Sequence, residues 1–503
     1  MRDIADLLHN RLATQAEWLI ALEDGGTFAF GSDEAEIITA GSRLFIELPT
    51  DAGLRRWRIT AAKEDEGAIM LDVERRLGQK REKIRLLPRT LARELELHIE
   101  LGRIRRANEI ARLVCRGLKG SKIESVSLNE RNGRMANILV SATGVYLIAV
   151  ADVTDSLRPE SILSATLVLF ARTSVRKNRR VSRALIISEK RIAGRLSNLC
   201  ALLNAETRAK LEILELDETQ NPPTLTSLPQ KSINSVLRRR GPALKIPKRF
   251  VPSEAARLIM SEYPDAIDSI QSSNGETLRF RGLAFARIRI LAGSTMIWFG
   301  IARPRTLLDE SNRSRFQSLL SELAAFRHPA AENKRHRLYL AAPEAWLESI
   351  LRRNIGLIDS NLILSPIYHQ FRTASGKIDL LALRRDGRLV IIELKTSPDR
   401  ETVFQTADYW RRIESQRRSG ELSRHRLFGE REIADRPALI YAVAPALDFH
   451  KDFDRFARML APEIELWRFE LHREWRFAVK VIERVMGSSQ PEQSLYSAGR
   501  SNR

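Results

Sequence analysis

Short stretches of alternating apolar and polar residues dominate the first part of the chain. Arg43 to Leu48, Trp57 to Thr60 and Ala68 to Val73 follow an opening helical stretch and are separated by polar turns. A period of two is typical of strands with one buried face. The sequence therefore predicts a small β-rich domain over residues 1–91.

From residue 92 the apolar spacing becomes helical. Leucine and isoleucine recur every three or four positions as far as about residue 118, where two apolar strands follow. Further strands and a helix are expected up to residue 216. This succession of helices and strands predicts an α/β domain over residues 92–218.

A linker is predicted after this domain. Residues 219–248 contain Asn221-Pro222-Pro223, scattered Ser and Thr residues, and the cluster Arg238-Arg239-Arg240. Such a composition cannot bury a core, so we expect an exposed basic linker.

An α+β unit is expected at residues 249–335. The run Arg287–Ile290 alternates arginine with isoleucine, which predicts a strand with one charged face. A further domain is expected at 336–484, and a disordered tail of turn and polar residues at 485–503. The expected fold class is a multidomain chain of α/β and α+β domains.

Charge adds an expectation about partners. The formal net charge is +20, and basic residues are clustered, for example at 176–180 and 334–337. Such an excess favours polyanions, because each Lys or Arg that meets a phosphate releases counterions. The alternative is a solvated surface that keeps the protein dispersed. Charge does not choose between DNA and RNA.

Several classes of protein are excluded by what the sequence lacks. Cys115 and Cys200 are its two cysteines, too few for a disulfide framework or a cysteine-built zinc site. No two histidines have metal-ligand spacing, and there is no phosphate-binding loop. There is neither a run of about 18 apolar residues nor a secretion signal. We therefore expect a cytoplasmic protein without a membrane partner.

The candidate chemistry lies in a predicted hairpin. Apolar strands are expected at Lys377–Leu383 and Arg388–Lys395, on either side of an Arg-Asp-Gly turn. Asp379 interrupts the first strand, while Glu393 and Lys395 lie at the end of the second. Because strand side chains alternate, Glu393 and Lys395 share one face, and Asp379 can meet them across the pair.

Two carboxylates in so apolar a setting call for a cation. An unpaired buried carboxylate is costly, and two of them repel each other unless a cation lies between them. Oxygen ligands suit Mg²⁺ or Mn²⁺, with waters or substrate phosphate completing the octahedron. The metal would polarise a phosphate and acidify a bound water, which indicates phosphodiester hydrolysis. Lys395 would orient that water or stabilise the developing charge.

Two helices extend this constellation. The first is expected to begin at a proline and to carry Glu344 and Glu348 on one face, and Glu348 is predicted to contact the metal through water. The second carries Gln405 and Tyr409 at i,i+4 spacing, so that both can hold substrate or brace Lys395.

These residues resemble the PD-(D/E)XK nuclease superfamily, especially its RecB-like and NucS-like branches. The matching positions are Glu348, Gly-x-Ile-Asp379, Glu393-x-Lys395 and Gln405-x-x-x-Tyr409. The resemblance covers roughly residues 336–484, with Ile378-Asp379 where the family has Pro-Asp. It implies a restriction-endonuclease-like αβββαβ core, a divalent metal and DNA as the usual substrate.

The predicted function is therefore that of a metal-dependent nuclease acting on DNA. Asp379 and Glu393 would bind Mg²⁺ or Mn²⁺, with the Leu394 carbonyl as third ligand. An endonuclease is favoured, although the sequence does not itself separate endonucleolytic from exonucleolytic cleavage. The alternative is a non-catalytic nucleic-acid-binding protein that uses the same fold as a scaffold.

The chain also contains a candidate second copy of the hairpin. Residues 133–136 and Gly144 repeat the spacing of residues 376–379 and Gly387. The corresponding positions are Asp379 with Ala136, Glu393 with Val150, and Lys395 with Asp152. The metal ligands are therefore missing from this copy.

This repeat has two interpretations. Residues 92–218 can be a degenerate nuclease-like domain used for DNA contact or for pairing with the active domain, and a homodimer is also left open. Alternatively, two unrelated α/β units share a common hairpin pattern.

Two further groups of residues each have two interpretations. Asp152 and Asp155 resemble a metal loop, but a loop cap or turn is the favoured alternative. Trp410 can stack on a base or lie in the core, and the core is favoured because it ends an amphipathic helix.

Overall fold

The computed structural model describes residues 2–15, 17–23, 27–50, 53–65, 67–75, 80–89, 92–129, 133–142, 144–154, 157–176, 181–238, 250–272, 275–291, 294–302, 305–364, 372–373 and 376–487. The chain divides into two compact units, residues 1–201 with 205–231 and residues 202–204 with 232–503. The architecture is mixed α and β with several sheets, which confirms the predicted class at that level. No helix among the described residues is long and apolar enough to cross a membrane.

The first unit begins with an antiparallel sheet. Its elements are α1 (Arg2–Leu12), β1 (Glu17–Leu22), β2 (Thr27–Gly31), β3 (Glu36–Ala40), β4 (Arg43–Thr50), β5 (Gly53–Asp65), β6 (Ala68–Arg75) and β7 (Lys80–Pro88). In the described residues the seven strands have the order β2-β1-β7-β6-β5-β4-β3. Alternate side chains, including Trp18 and Trp57, fill the core. The three strands predicted here are present, each longer than its predicted span.

The second sheet of this unit mixes antiparallel and parallel pairing. Its elements are α2 (Ala92–Arg116), β8 (Ser121–Leu128), β9 (Met135–Ala142), β10 (Val145–Asp152), α3 (Pro159–Arg176), β11 (Val181–Glu189), α4 (Lys190–Cys200), α5 (Ala205–Ala209), β12 (Leu211–Asp217) and β13 (Thr224–Ser227). Over the described residues the strand order is β13-β12-β11-β10-β9-β8. The β10–β11 and β11–β12 pairs are parallel, and the others are antiparallel. We call this sheet the first mixed sheet.

The linker predicted at 219–248 needs correction over its first half. Strand β13 lies within it and pairs with β12. Helix α6 (Ile233–Leu237) follows, with Ser232 as its N-cap. Ile233, Val236 and Leu237 have helical spacing and are buried, which gives this short segment the apolar contacts that a linker lacks. Residues 239–249 lie outside the described residues.

The second unit contains an antiparallel sheet that is covered by helices on one face. Its elements are α7 (Glu254–Glu262), β14 (Ile267–Ser272), β15 (Gly275–Phe280), β16 (Leu283–Leu291), β17 (Ser294–Phe299), β18 (Thr306–Leu307) and α8 (Arg313–Phe326). Within the described residues the strands follow the order β14-β15-β16-β17-β18. Phe280 and Ile288 on one face pack with Phe316 and Leu320 of α8. Arg287 and Arg289 alternate onto the other face, as predicted.

The C-terminal sheet carries the predicted site. Its elements are α9 (Arg337–Leu340), α10 (Pro343–Arg353), β19 (Leu362–Leu364), β20 (Arg372–Thr373), β21 (Gly376–Lys377), β22 (Leu380–Arg384), β23 (Leu389–Leu394), α11 (Thr402–Arg418), α12 (Glu421–Arg424), β24 (Leu439–Pro445), α13 (Phe453–Ala457), β25 (Glu465–Leu471) and β26 (Val481–Met486). For the residues described, the order is β19-β22-β23-β24-β25-β26, and β20 pairs with β21 separately. The β23–β24 and β24–β25 pairs are parallel. We call this sheet the second mixed sheet. The predicted tail lies outside the described residues from 488 onwards.

The two mixed sheets have the same topology. In each, a helix precedes three antiparallel strands, a second helix leads to two strands added in parallel, and the last strand is antiparallel. The pairings agree in direction at every step along the sheet. This is the strand order that a second copy of the fold requires.

Strand pairing changes one of the predicted correspondences. In the second mixed sheet Leu380 pairs with Ile392, which places Asp379 opposite Glu393. In the first mixed sheet Val150 pairs with Asn137. With Val150 as the counterpart of Glu393, the counterpart of Asp379 is Asn137 rather than Ala136. The turn between β22 and β23 is one residue longer than the turn between β9 and β10. An alignment of Gly144 with Gly387 therefore places β9 one residue out of register with β22.

Candidate functional site

Asp379 lies just before β22 rather than within a strand, which corrects the predicted strand from Lys377 to Leu383. Its Oδ2 accepts a hydrogen bond from the Leu394 N–H at 2.9 Å. The side chain thus takes the place of a backbone acceptor at the end of the ladder. This bond holds the Asp379 carboxylate against the end of β23.

The same bond indicates where the Leu394 carbonyl points. In a strand, the N–H and the C=O of one residue are directed to the same side. Since the Leu394 N–H points to Asp379, its carbonyl is directed to the same edge. On the other side of the strand, the Lys395 N–H donates to the Val443 carbonyl at 3.0 Å. The predicted third ligand therefore faces Asp379.

Glu393 is buried in the last part of β23, with 2% of its surface exposed. Its Oε1 lies 3.2 Å from the Lys395 Nζ. Its Oε2 is buried and has no hydrogen-bond partner among the described residues. Burial raises the pKa of Glu393 well above its usual value, and the nearby Asp379 carboxylate raises it further. A buried oxygen without a donor is costly, so this position is suited to a cation.

Lys395 is held by three groups. Its Nζ lies 3.2 Å from Glu393, 3.4 Å from the Asp399 Oδ2 and 3.4 Å from the Gln405 Oε1. Burial alone would lower the pKa of Lys395, but the carboxylates of Glu393, Asp399 and Glu344 outweigh it and raise the pKa. The ammonium therefore stays charged at neutral pH. Asp399 was not predicted from the sequence, although it lies at i,i+4 from Lys395.

The predicted pair on α11 contacts Lys395 in series. Gln405 accepts from Lys395 through Oε1, and its Nε2 donates to the Tyr409 hydroxyl at 2.9 Å. Burial raises the pKa of Tyr409 to about 12, with Glu393 adding to the rise. Gln405 thus braces Lys395, and Tyr409 orients Gln405. The adjacent Trp410 is fully buried and donates to the Ala438 carbonyl, which confirms its core position.

Helix α10 begins at Pro343, as predicted, but its two glutamates have different surroundings. Glu348 is buried and its Oε1 lies 3.4 Å from Arg279 of β15. Glu344 is exposed, and its charge raises the pKa of both Glu393 and Lys395. The predicted contact of Glu348 with a metal through water stays a prediction, and Glu344 adds a negative charge near Glu393 and Lys395. The sequence could not show the contact of Glu348 with Arg279, because Arg279 belongs to a different sheet.

The described residues contain no group of three or more His, Cys, Asp or Glu side chains arranged around a metal position. The predicted ligand set is smaller than that, since it consists of two carboxylates and one backbone carbonyl. Magnesium usually keeps several waters and takes one or two protein carboxylates with substrate phosphate. The unpartnered Glu393 oxygen opposite Asp379 fits such a cation.

Asp152 in the first mixed sheet is not available as a ligand. Its Oδ1 accepts from the Thr154 N–H and hydroxyl, and its Oδ2 accepts from the Leu157 N–H at 3.0 Å. These bonds are those of a loop cap, the favoured alternative in the sequence. Asp155 lies outside the described residues.

Comparisons of the chain with protein-family models, with curated proteins and with solved structures gave no significant match.

Proposed function

We propose that residues 343–486 form a divalent-metal-dependent nuclease that hydrolyses phosphodiester bonds in DNA. The observation that carries this proposal is the Glu393 carboxylate, which is buried, faces Asp379 and keeps one oxygen without a donor in the described residues. A structural carboxylate at such a position would be expected to find a hydrogen-bond donor. The site instead has the composition that a Mg²⁺ or Mn²⁺ ion would complete.

The topology supports this proposal. Apart from the separately paired β20 and β21 and the short helix α12, the elements α10, β19, β22, β23, α11 and β24 have the order αβββαβ. This is the order that the resemblance to PD-(D/E)XK nucleases implies for a restriction-endonuclease-like core. The site residues lie at the carboxyl end of β23 and on the helix that follows it, where their side chains converge on one edge.

Each site residue has a separate role in the proposed reaction. Asp379, Glu393 and the Leu394 carbonyl would hold the metal, which supplies Lewis-acid polarisation of the phosphate and a more acidic water. Lys395, charged and half-buried, would stabilise negative charge that develops on the phosphate oxygens. Gln405 fixes the direction of the Lys395 ammonium.

Positive charge supports a nucleic acid as substrate. The net charge of +20 favours a polyanion, and the clustered arginines can pair with phosphates. We take DNA as the substrate because it is the usual substrate of the family that the sequence resembles.

Cleavage assays test this proposal directly. Labelled single-stranded, double-stranded and branched DNA would be incubated with Mg²⁺ or Mn²⁺, and wild type compared with Lys395→Ala. We expect metal-dependent cleavage that Lys395→Ala removes. Salt-sensitive binding without cleavage by either protein would contradict the proposal and favour the non-catalytic scaffold.

A further inference from the structure

The face of the β14–β18 sheet opposite α7 and α8 carries arginine side chains at alternating positions of β16, with Met296 and Trp298 of β17 beside them. Arg287 pairs across strands with Thr277 and with Trp298, and Arg289 pairs with Met296. The core side chains of the same strands point to the other face, where α8 packs. We call Arg287, Arg289, Met296 and Trp298 the arginine–tryptophan face.

The arginines of this face have uncompensated charge. Neither Arg287 nor Arg289 has a carboxylate partner within the part of the chain that the structure describes, and the Nε atom of each lacks a hydrogen-bond acceptor there. The Arg289 guanidinium lies over the Trp298 ring, 5.7 Å from its centre. Trp298 and Met296 are each partly exposed.

The neighbouring charged residues, on this sheet and on helix α10, form ion pairs with one another. Arg279 pairs with Asp268 at 2.8 Å and with Glu348 at 3.4 Å, and Arg352 pairs with Asp268 at 3.2 Å. Two arginines are thereby matched by two carboxylates. Among the residues described for this face, Arg287 and Arg289 are the arginines without a carboxylate partner.

This sheet is joined firmly to helix α10 of the candidate nuclease. The buried Arg327 donates to the Arg281, Leu338 and Ala341 carbonyls, and its guanidinium lies over the Trp346 ring of α10. Gly282 in the β15–β16 turn approaches α10 so closely that a Cβ there would lie 1.9 Å from the Ala345 carbonyl oxygen.

The turn at Gly282 therefore meets the first turn of α10, which also carries Glu344. The extended strand from Gly282 to Arg287 is about 17 Å long. A few nucleotides of a single strand can span that distance.

We propose that the arginine–tryptophan face binds a single-stranded segment of nucleic acid beside the nuclease site. The two guanidinium groups would pair with phosphates, and Trp298 would stack on a base, since a partly exposed sheet face with aromatic and basic side chains suits unpaired bases. Duplex DNA buries its bases between two backbones and cannot use the tryptophan in this way. This proposal extends the nuclease proposal. Cleavage of the bound strand rests on the nuclease proposal, whereas binding of the strand does not.

Binding is measured with the full chain in EDTA, so that no cleavage is needed. The probes are a fluorescein-labelled oligothymidylate of about 20 nucleotides, longer than the sites of about 4–16 nucleotides that single-strand binders cover, and a duplex of equal length. The charge variant is Arg287→Ser with Arg289→Ser. The matched control is Arg313→Ser with Arg315→Ser, two exposed arginines of α8 on the opposite side of the same sheet.

We expect the Arg287/Arg289 variant to bind the single strand about 10-fold more weakly and to lower the salt slope by about 1.4, the value for two phosphate contacts on a single strand. The control should change the affinity less than about twofold, because its arginines lie away from the face. Trp298→Ala should lose about 10-fold, and Trp298→Phe should recover most of that loss. Circular dichroism and melting of each variant would exclude misfolding as the cause.

Three results would overturn the proposal. The first is equal weakening by the two double variants, which would assign binding to overall charge. The second is wild-type affinity in Trp298→Ala together with equal affinity for the duplex, and the third is no binding of either probe by wild type. Failure of the nuclease proposal gives a different result, because binding in EDTA would then depend on the face while no cleavage occurs with metal.

Discussion

The two mixed sheets of this protein have the same strand order, but they differ at the end of the central hairpin. The second mixed sheet has Asp379, Glu393 and Lys395, while the first has Asn137, Val150 and Asp152 at the paired positions. The helix after the hairpin begins at Thr402 in one and at Pro159 in the other. Counting from these starts, Gln405 and Tyr409 correspond to Ile162 and Thr166, which are both fully buried.

This difference separates the requirements of the fold from those of the site. The first mixed sheet shows that apolar or capping residues are sufficient for the topology. The second mixed sheet has a buried carboxylate whose pKa is raised and one of whose oxygens is unpartnered in the described region, an arrangement that costs stability. We attribute that cost to function, because the same fold forms without it.

The largest effect on cleavage is expected when Asp379 of the second mixed sheet is replaced by asparagine, the residue at the corresponding position of the first mixed sheet. Asp379→Asn keeps the shape of the side chain and removes a charge that would hold the metal. We expect the rate of DNA cleavage to fall about 1000-fold, at the upper end of the loss for one electrostatic group. The matched change Asn137→Asp should leave the rate unchanged, and equal losses in the two variants would contradict the distinction between the sheets.

Placing the glutamate of the second mixed sheet at the corresponding position of the first tests whether the first mixed sheet tolerates a carboxylate. Val150 is fully buried, so Val150→Glu places an unpaired acid in an apolar layer. We expect the free energy of unfolding to fall by about 3 kcal/mol in urea denaturation. Magnesium should not restore it. Recovery of stability with Mg²⁺ would show that the first sheet retains a metal position.

Glu393→Gln should stabilise the metal-free protein while removing its response to metal. The raised pKa of Glu393 means that ionisation is disfavoured in the folded state. We expect about 1 kcal/mol of additional stability near neutral pH without metal. Thermal melting with and without Mg²⁺ provides the measurement. A variant less stable than wild type in EDTA would show that the Glu393–Lys395 pair outweighs the burial of the acid.

The same pKa shift predicts a pH dependence. Because the folded pKa of Glu393 lies above the unfolded value, its contribution favours the folded state at low pH and is lost as pH rises through the folded pKa. A metal competes with that proton, so stabilisation by Mg²⁺ should be small below the folded pKa of Glu393 and should increase as the pH rises through it, and Glu393→Gln should abolish the increase. Stabilisation by metal that stays constant over the whole pH range in which the protein is folded would contradict this expectation.

Among the effects on cleavage rate, that of Gln405 is expected to be modest. Its bond to Lys395 is 3.4 Å long, so it restrains the ammonium without carrying the reaction. Gln405→Ala should slow cleavage about 10-fold, as expected for one hydrogen bond to a charged group. At the corresponding position, Ile162→Ala should lower stability and leave the cleavage rate per folded molecule unchanged. A loss at Gln405 as large as that at Lys395 would give Gln405 a direct role.

The sequence predicted the parts of the site that depend on local geometry. Asp379, Glu393 and Lys395 meet because a hairpin and a period of two bring them together, and Gln405 and Tyr409 meet because they are one helical turn apart. Both patterns operate over short distances along the chain. The expected strands of the β-rich domain were found for the same reason.

Features that depend on distant parts of the chain were not predictable in this way. Glu348 pairs with Arg279, which lies in another sheet, and the charge of Glu344 raises the pKa of Glu393. The counterpart of Asp379 was shifted from Ala136 to Asn137 by a difference in turn length that only strand pairing reveals. Strand β13 was interpreted as linker because its partner strand, rather than its own composition, makes it a strand.

We propose that the second mixed sheet binds a divalent cation and that the first does not. Calorimetric titration of Mn²⁺ into the metal-free full chain tests this without requiring cleavage. We predict saturable binding by wild type and by Asn137→Ala, and its loss in Asp379→Ala. Binding that persists in Asp379→Ala, or no binding by wild type, would contradict the claim.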